Sequence, residues 1–216
     1  MRAVVSGAAG FIGFHLCRRL LDEGHEIVGL DNLISGTRRN ITDLSADPRF
    51  TFVEHDIVEE VSVDGQVDAV FNLACPASPL DFERYAIEIL SVCSQGTRCM
   101  LDLARDKGAV MLHASTSECY GDPEIHPQPE SYWGHVNPIG TRACYDEGKR
   151  FAEALVMTYH RKHALDVRIF RIFNTYGPRM RSNDGRVLPN LINQALRGQQ
   201  VTIYGEGSPT RSFRYV

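Results

Sequence analysis

The sequence lacks both a strong charge of one sign and a long apolar run. Its 216 residues carry a net charge of -4, and the lysines and arginines are scattered along the chain. This excludes the basic field that nucleic-acid binding requires. No apolar stretch approaches the length of a membrane span. Met1 and Arg2 lead directly into apolar residues without the regions of a signal peptide, so we expect a cytoplasmic location and no membrane partner.

Patterns typical of metal sites and disulfides are also missing. The six cysteines include no CxxC pair and no zinc-type spacing, so we expect free thiols, most of them buried. Among the eight histidines, His160 and His163 lie at a predicted helix end, where a solvated basic face is expected. We therefore predict no metal site.

What the sequence does contain is an alternation of short apolar runs and helical patterns. The predicted strands are residues 3–5, 26–30, 50–53, 69–73, 110–113 and 167–173. Helical periodicity covers 11–23, 85–107 and 142–163. This alternation predicts an α/β fold with a Rossmann-type, doubly wound parallel sheet covered by helices on both faces.

Two stretches depart from this alternation. Residues 121–140 hold four prolines and lack periodicity, and so long a loop in a compact domain is usually functional. After Phe173 the pattern changes to a helical patch at 188–196 and a strand-like run at 201–204. We therefore divide the chain into a Rossmann domain, 1–173, and a smaller, incomplete C-terminal substrate-binding lobe, 174–216.

The turn after the first predicted strand is rich in glycine. Gly7, Gly10 and Gly13 belong to the segment GAAGFIG, which opens the first predicted helix. Glycine here lets the backbone approach a pyrophosphate, whose charge then lies at the positive end of the helix. The spacing is GxxGxxG and not GxGxxG, so the position between strand and helix carries the prediction of a dinucleotide site.

Asp31 ends the second predicted strand. There its carboxylate can accept hydrogen bonds from the ribose hydroxyls and repel a 2′-phosphate, which favours NAD over NADP. The alternative interpretation of Asp31 is a solvated strand-end acid or a helix cap. Arg38 either contacts a cofactor phosphate or lies on the surface.

Tyr145 and Lys149 are four residues apart on a predicted helix and share one face. A lysine ammonium beside a phenol favours the phenolate, and a bound nicotinamide cation adds to this, so we expect the pKa of Tyr145 to be lowered. The result is a base for a substrate hydroxyl. Thr116, Ser117 and Glu118 follow the fifth predicted strand, where they form either part of a catalytic centre or only a turn.

Several of these segments together resemble the extended short-chain dehydrogenase/reductases that act on nucleotide sugars. They are GAAGFIG, Asp31-Asn32, the Thr116-Ser117-Glu118 triplet, YDEGK and the stretch 174–178. More narrowly, residues 115–150, with RIFNTYGPRM after them, resemble the UDP-glucuronate decarboxylase (UDP-xylose synthase) family. The broader resemblance, to the extended short-chain dehydrogenase/reductases, covers the whole chain.

The resemblance implies a three-step reaction on a UDP-sugar substrate. NAD oxidises C4 of UDP-glucuronate, the 4-keto acid loses carbon dioxide, and the ketone is reduced to UDP-xylose. Tyr145 would be the base at C4, Lys149 its modulator, and Thr116 a partner of the reacting oxygen. Glu118 would assist at C5, with Ser117 beside it.

The resemblance also implies binding residues and a homodimer formed by the helices at 85–105 and 142–163. The expected cofactor-binding set is Gly7, Gly10, Phe11, Ile12, Gly13, Asp31, Asn32, Arg38, Asp56, Ile57, Leu73, Ala74, Tyr145 and Lys149. The expected substrate-binding set is Thr116, Asn174, Arg179, Arg186, Tyr204 and Arg211.

The sequence also departs from the family pattern. Family members continue beyond the position of Val216, so the resemblance implies an incomplete substrate lobe without a later arginine for the sugar carboxylate. Cys75 replaces a serine, Phe82 a tyrosine near the substrate, Cys93 a cofactor-side asparagine and Cys119 a valine. Phe82 and Cys93 each remove a polar contact.

Three alternatives stay open. A nucleotide-sugar 4,6-dehydratase would carry an Asp-Glu pair after the threonine, where this chain has Ser117 and Glu118. A 4-epimerase usually has a small apolar residue at the position of Glu118. The non-enzymatic alternative is a truncated NAD-binding protein without turnover.

Overall fold

Short runs of mainly apolar residues form the six strands of the main sheet. The computed structural model describes residues 1–203, 205–206 and 210–216. The strands are β1 (Arg2–Ser6), β2 (Glu26–Asp31), β3 (Phe50–Glu54), β4 (Ala69–Asn72), β5 (Val110–Thr116) and β6 (Val167–Ile172). Every predicted strand up to Phe173 is confirmed within a few residues. β5 continues beyond its predicted end because Ser115 and Thr116 still pair with β6.

The sheet is parallel throughout, with the order β3-β2-β1-β4-β5-β6. This is the doubly wound arrangement that the sequence predicts. The winding direction reverses between β1 and β4, so the connections that follow these two strands leave in opposite directions. The reversal opens a crevice at the carboxyl ends of the strands.

Helices cover both faces of the sheet. They are α1 (Phe11–Asp22), α2 (Arg38–Leu44), α3 (Pro79–Arg84), α4 (Ala86–Ser91), α5 (Thr97–Lys107), α6 (Ala143–His163) and α7 (Val187–Leu196). Because side chains alternate along a strand, Val5 packs with α1 and α2, whereas Val4 packs with α4, α5 and α6. None of the helices in the described part of the chain combines the length and apolarity needed to cross a bilayer.

The helix predicted at 85–107 is not continuous. It begins at Ala86, and a π-helical turn at Val92–Gly96 separates α4 from α5. The Thr97 hydroxyl donates to the carbonyl of Val92 at 3.3 Å across this turn. Gly96 packs closely against Ile57, since a Cβ atom at Gly96 would lie 3.0 Å from that side chain. Tertiary packing therefore accounts for a break that helical periodicity did not predict.

The C-terminal segment forms a second, small sheet. β7 (Asn174–Tyr176) pairs in parallel with β8 (Phe213–Tyr215), and α7 matches the predicted helical patch. The strand predicted at 201–204 is wrong over 201–203, because the Thr202 N–H donates to the side chain of Gln194 at 3.0 Å and no ladder forms. Tyr204 lies outside the described residues.

Candidate active site

The glycine loop joins β1 to α1 in a conformation that excludes larger residues. Gly7 has a φ of +74°, and a Cβ atom there would lie 2.9 Å from the backbone nitrogen of Ala74. A Cβ atom at Gly13 would lie 2.0 Å from the carbonyl oxygen of Gly7. No side chain caps α1 at Gly10, so its first N–H groups remain available to an anion.

Asp31 closes the adjoining side of this loop. Its carboxylate accepts hydrogen bonds from the N–H of Ala9 at 2.9 Å and of Leu33 at 2.8 Å. Burial raises the pKa of Asp31, and the two N–H bonds oppose this. The side chain therefore braces the glycine loop and is not a freely solvated acid. Nearby, the Asn32 amide donates to Asp56 at 2.9 Å.

A cleft of about 250 Å³ lies at the reversal point between β1 and β4. Its walls include these residues of the predicted cofactor set: Gly7, Gly10, Asp31, Asn32, Asp56, Ile57, Leu73 and Ala74. Phe11, Ile12 and Gly13 lie in the first turn of α1. Arg38 is not in the lining, and its guanidinium pairs with Glu54 at 2.8 Å. The structure thus brings together most of this set and places Arg38 on the surface.

Sequence reasoning missed part of the cleft wall. Ile34, Ser35, Gly36, His55 and Val58 line it and follow the ends of β2 and β3, so their position after predicted strands was an available signal. Cys75, Pro76, Ile87, Glu88, Ser91 and Val92 line the opposite side. The positions of Ile87, Glu88, Ser91 and Val92 depend on how α4 packs against the sheet, which no local sequence pattern specifies.

A buried polar network supports the floor of the cleft. The Ser6 hydroxyl donates to Asn72 at 2.8 Å and accepts the N–H groups of Leu73 and Ala74 at 3.1 and 3.2 Å. The amide nitrogen of Asn72 lies 3.3 Å from Nδ1 of His113. One hydroxyl on β1 therefore fixes the turn that follows β4.

Tyr145 and Lys149 project from α6 into the protein and are both buried. The Lys149 ammonium donates to the carbonyl of Ala114 at 2.9 Å and lies 6.0 Å from the centre of the Tyr145 ring. Burial raises the pKa of Tyr145 to about 12, while Lys149 and the Thr116 hydroxyl act to lower it. The predicted direction is therefore wrong for the protein alone, because desolvation of the phenolate outweighs the charge of the lysine.

The strand-end triplet lies across from this pair. Thr116 is the last residue of β5 and caps a short 3₁₀ turn, Ser117–Tyr120, by accepting the N–H of Glu118 at 3.2 Å. The triplet is thus both a turn and a neighbour of Tyr145. The Ser117 hydroxyl lies 3.5 Å from the Glu118 carboxylate.

Arg142 joins the two parts of the site, and sequence reasoning missed it. Its guanidinium forms an ion pair with Glu118 and lies 5.6 Å above the Phe82 ring. Phe82 in turn stacks on Tyr145 with ring centres 4.8 Å apart. A layer of guanidinium, phenyl ring and phenol therefore connects Glu118 to Tyr145.

The predicted substrate residues are dispersed. Arg186 donates to the carbonyl of Ala77 at 2.5 Å, and its charge acts to lower the pKa of Tyr145, so it lies on the catalytic side. Arg179 pairs with Asp43 at 2.6 Å, beside α1 and α2. Asn174 lies in β7, and Arg211 is exposed next to β8. Arg186 is therefore brought to the site, whereas Arg179 is not.

Known proteins share both the sequence and this architecture. Residues 3–216 match the model of the NAD dependent epimerase/dehydratase family. UDP-glucuronic acid decarboxylase 3 of Arabidopsis thaliana is 52% identical over 217 aligned residues, which include 100% of this chain and 63% of that protein. UDP-glucuronic acid decarboxylase 1 of Xenopus tropicalis is 50% identical, with 100% and 51% covered. The chain thus spans between about half and two thirds of the length of these relatives.

Solved structures of other proteins share the fold of this chain. The dTDP-glucose 4,6-dehydratase of Streptomyces venezuelae, solved with NAD, superposes with a TM-score of 0.85 and 31% identity over 100% of this chain and 68% of that one. The UDP-glucuronic acid 4-epimerase of Bacillus cereus, solved with UDP-glucuronic acid and NAD, has a TM-score of 0.80 and 30% identity over 100% and 69%. The chain therefore belongs to the NAD dependent epimerase/dehydratase family, whose cofactor is the one that the glycine loop and Asp31 predict.

Proposed function

We propose that the protein catalyses the NAD-dependent decarboxylation of UDP-glucuronate to UDP-xylose. The observation that carries the proposal is the grouping of Tyr145 with Thr116 and of Glu118 with Arg142 at the carboxyl end of β5. Relatives named UDP-glucuronic acid decarboxylase, about 50% identical over this whole chain, support the same substrate.

The residues of the cleft hold the cofactor and prepare the base. Gly7, Gly10 and Asp31 would receive the pyrophosphate and the adenosine ribose. Bound NAD supplies a reversible hydride acceptor for C4 of the sugar and, when oxidised, a positive charge in the cleft. Tyr145 accepts the proton of the C4 hydroxyl, with Lys149 stabilising the phenolate. The phenol is protonated in the protein alone, since burial raises its pKa to about 12.

Oxidation at C4 makes the next step possible. The bond to the carboxylate breaks, carbon dioxide leaves, and the electron pair left at C5 delocalises into the C4 ketone. A proton must then be delivered to C5, and Tyr145 would give back its proton when the C4 ketone is reduced. We assign to Glu118 the management of the proton that is delivered to C5. Its carboxylate is held in place by Arg142.

Substrate contacts involve both parts of the chain. We propose that Thr116 bonds the reacting oxygen and that Asn174, Arg186 and Arg211 hold the nucleotide, the arginines by charge-assisted bonds to its diphosphate. On this basis residues 1–173 are the NAD-binding domain and residues 174–216 part of the substrate lobe. The position of Arg179 beside Asp43 gives its predicted role no support.

The test is to incubate the purified protein with UDP-glucuronate and NAD⁺ in D₂O and to follow the sugar by NMR. We expect UDP-xylose with deuterium at C5 and release of carbon dioxide. Tyr145→Phe is the matched control, with an expected loss of about 10²- to 10⁴-fold in kcat. Unchanged substrate with an NAD-loaded protein would overturn the proposal.

The same assay, repeated with UDP-glucose as a second substrate, distinguishes the alternatives. A 4-epimerase such as the Bacillus cereus relative would invert C4 and retain the carboxylate. A 4,6-dehydratase would leave UDP-glucuronate unchanged and convert UDP-glucose to a 4-keto-6-deoxy sugar. Glu118 beside Ser117, where a dehydratase would have a second acid, favours the decarboxylase.

We also propose that the protein is a homodimer that pairs through α4 and α6. Leu90 on α4 is 42% exposed and Phe151 on α6 is 53% exposed, and these two helices pack against each other. Light scattering after gel filtration should give the mass of two chains, and Phe151→Glu should give one. A monomeric wild type would contradict this assignment. We further propose a cytoplasmic location, on the basis of the cysteine pattern of the sequence.

A further inference from the structure

Two cysteines that the proposed reaction does not use meet in the wall of the cleft. Cys75 follows β4 and lines the cleft, and Cys93 lies in the π-helical turn between α4 and α5. Their sulfur atoms are 3.8 Å apart, and among the described residues this is the one pair of thiols in contact. All six cysteines are described, so the contact is selective within this chain.

The surroundings of the pair differ on its two sides. Cys75 is partly exposed toward the cleft, whereas Cys93 is only 3% exposed. Behind Cys93 lies α6, since a Cβ atom at Gly148 would lie 3.3 Å from its sulfur. Gly148 precedes Lys149, so the pair separates the cleft from the helix that carries the catalytic lysine. The Cys93 sulfur lies 3.8 Å behind that of Cys75, so a small oxidant enters from the cleft and passes Cys75 to reach Cys93.

We propose that Cys75 and Cys93 are a reversible oxidation site at which a peroxide closes a disulfide and thereby reduces NAD binding. The Cys93 thiolate attacks the peroxide O–O bond, which leaves a sulfenic acid on Cys93 and releases water once a proton is taken up. The Cys75 thiol then attacks the sulfenic sulfur, forms the S–S bond and releases a second water. The two sulfurs lose two electrons in total, and the peroxide accepts them.

The electrostatics assign these two roles. The hydrogen bond from Cys75 lowers the pKa of the Cys93 thiol to about 7, against burial and with help from the charge of Lys149. The same contact and burial raise the pKa of Cys75. Burial raises the pKa of Cys17 to about 12 and that of Cys119 to about 11. Thiolates are the reactive form, so Cys93 is the favoured point of attack.

Closure of the disulfide changes the cleft. The sulfurs must approach from 3.8 Å to about 2.05 Å. Cys75 stands between Ala74 and Pro76, all three in the cleft lining, so this movement shifts a wall that the cofactor would contact. A bound dinucleotide would also cover Cys75. Oxidation and NAD binding should therefore oppose each other.

The experiment treats reduced, purified protein with hydrogen peroxide in the presence and absence of NAD⁺. Peptide mapping by mass spectrometry without reductant should find one Cys75–Cys93 cross-link, removed by dithiothreitol and formed several-fold more slowly with NAD⁺. Calorimetry should find weaker NAD⁺ binding after oxidation and recovery after reduction. These readouts do not require turnover, so they remain valid if the proposed decarboxylation fails.

The variants decide whether the pair is specific. Cys75→Ser and Cys93→Ser should each abolish the cross-link. Cys99→Ser removes a thiol of α5 that contacts the Val58 carbonyl and neither cysteine of the pair, so it should retain the cross-link. Wild type that forms no cross-link would overturn the proposal. A cross-link of Cys144 formed as fast as that of Cys75 would also overturn it, and so would unchanged NAD⁺ affinity after complete closure.

Discussion

Arg142 illustrates how one side chain can organise a site without a recognisable motif. It pairs with Glu118 and stacks on Phe82, which stacks on Tyr145. If it holds the Glu118 carboxylate in place, Arg142→Met should reduce kcat about 10²-fold while the affinity for NAD⁺ stays unchanged. Steady-state kinetics and calorimetry measure the two quantities.

The controls for Arg142 separate positioning from general damage. Arg142→Lys keeps the charge and should recover part of the lost kcat. Arg98→Met removes an arginine whose exposed pair with Asp102 lies on α5, and it should behave as wild type. A loss of NAD⁺ affinity equal to the loss of kcat would show that Arg142 supports the fold and not the reacting group.

His113 connects the site to stability at acidic pH. Burial, followed by the charge of Lys149, lowers its pKa to about 3, from an ordinary value near 6.5. The unfolded chain therefore binds a proton between these values and the folded chain does not. The contribution is fully present above pH 6.5 and is lost as the pH falls toward 3.

We therefore expect wild type to lose stability between pH 7.5 and pH 5 through His113, by about 2 kcal/mol from this residue alone. Urea unfolding at the two pH values measures the difference. His113→Gln should be less stable at pH 7.5 but should lose less on acidification. Equal losses in both proteins would mean that His113 is not the group that titrates.

Among single residues, those within motifs were predictable. Tyr145 and Lys149 follow from spacing, and Thr116 from its place at a strand end. The raised pKa of Tyr145 was not predictable, because burial depends on Phe82 and on the rest of the core. The contact of Cys75 with Cys93 likewise depends on a π turn that has no periodic signal.

At the scale of elements, the glycine loop leaves the least space for an added side chain. A Cβ atom at Gly13 would lie 2.0 Å from the Gly7 carbonyl oxygen, whereas one at Gly10 would lie 3.1 Å from the same atom. Gly13→Ala should therefore lower the free energy of unfolding by about 3 kcal/mol and weaken NAD⁺ binding. Gly10→Ala, the matched control, should cost about 1 kcal/mol. Denaturant unfolding compares them, and similar costs would contradict this view of the loop.

The other elements show where local patterns suffice. The central strands β1, β2, β4 and β5 are largely buried, which the sequence specifies well, whereas the edge strands β3 and β6 are only partly buried. Residues 201–203, which were wrongly predicted as a strand, are mostly apolar in sequence but exposed in the structure. Their backbone forms a hydrogen bond to the side chain of Gln194 instead of pairing with a neighbouring strand. Strand formation there needed a partner that a local pattern cannot supply.

At the scale of the whole molecule, sheet order and charge together select the cofactor. The doubly wound parallel sheet could be predicted from the alternation of strands and helices, and the fixed hand of parallel crossovers then sets which face each helix covers. The cleft then faces Asp31, whose carboxylate would meet a 2′-phosphate. NAD⁺ at 100 times its Kd should raise the Tm by about 5–10 °C, corresponding to about 2.7 kcal/mol.

NADP⁺ at the same concentration should leave the Tm nearly unchanged. Thermal unfolding followed by differential scanning fluorimetry measures both shifts. Asp31→Asn removes the charge and should narrow the difference between the two cofactors. An equal shift with NADP⁺ in wild type would mean that Asp31 does not exclude the phosphate.

The hydroxyl of Ser6 has a consequence for how the cofactor binds. It holds the N–H groups of Leu73 and Ala74 and is itself anchored on Asn72, so the turn beneath the cleft is fixed by internal bonds. Such a floor has little conformational entropy left to lose when a ligand arrives. Association should then be limited by diffusion into the cleft and by displacement of water, and not by folding of the binding loop around its ligand.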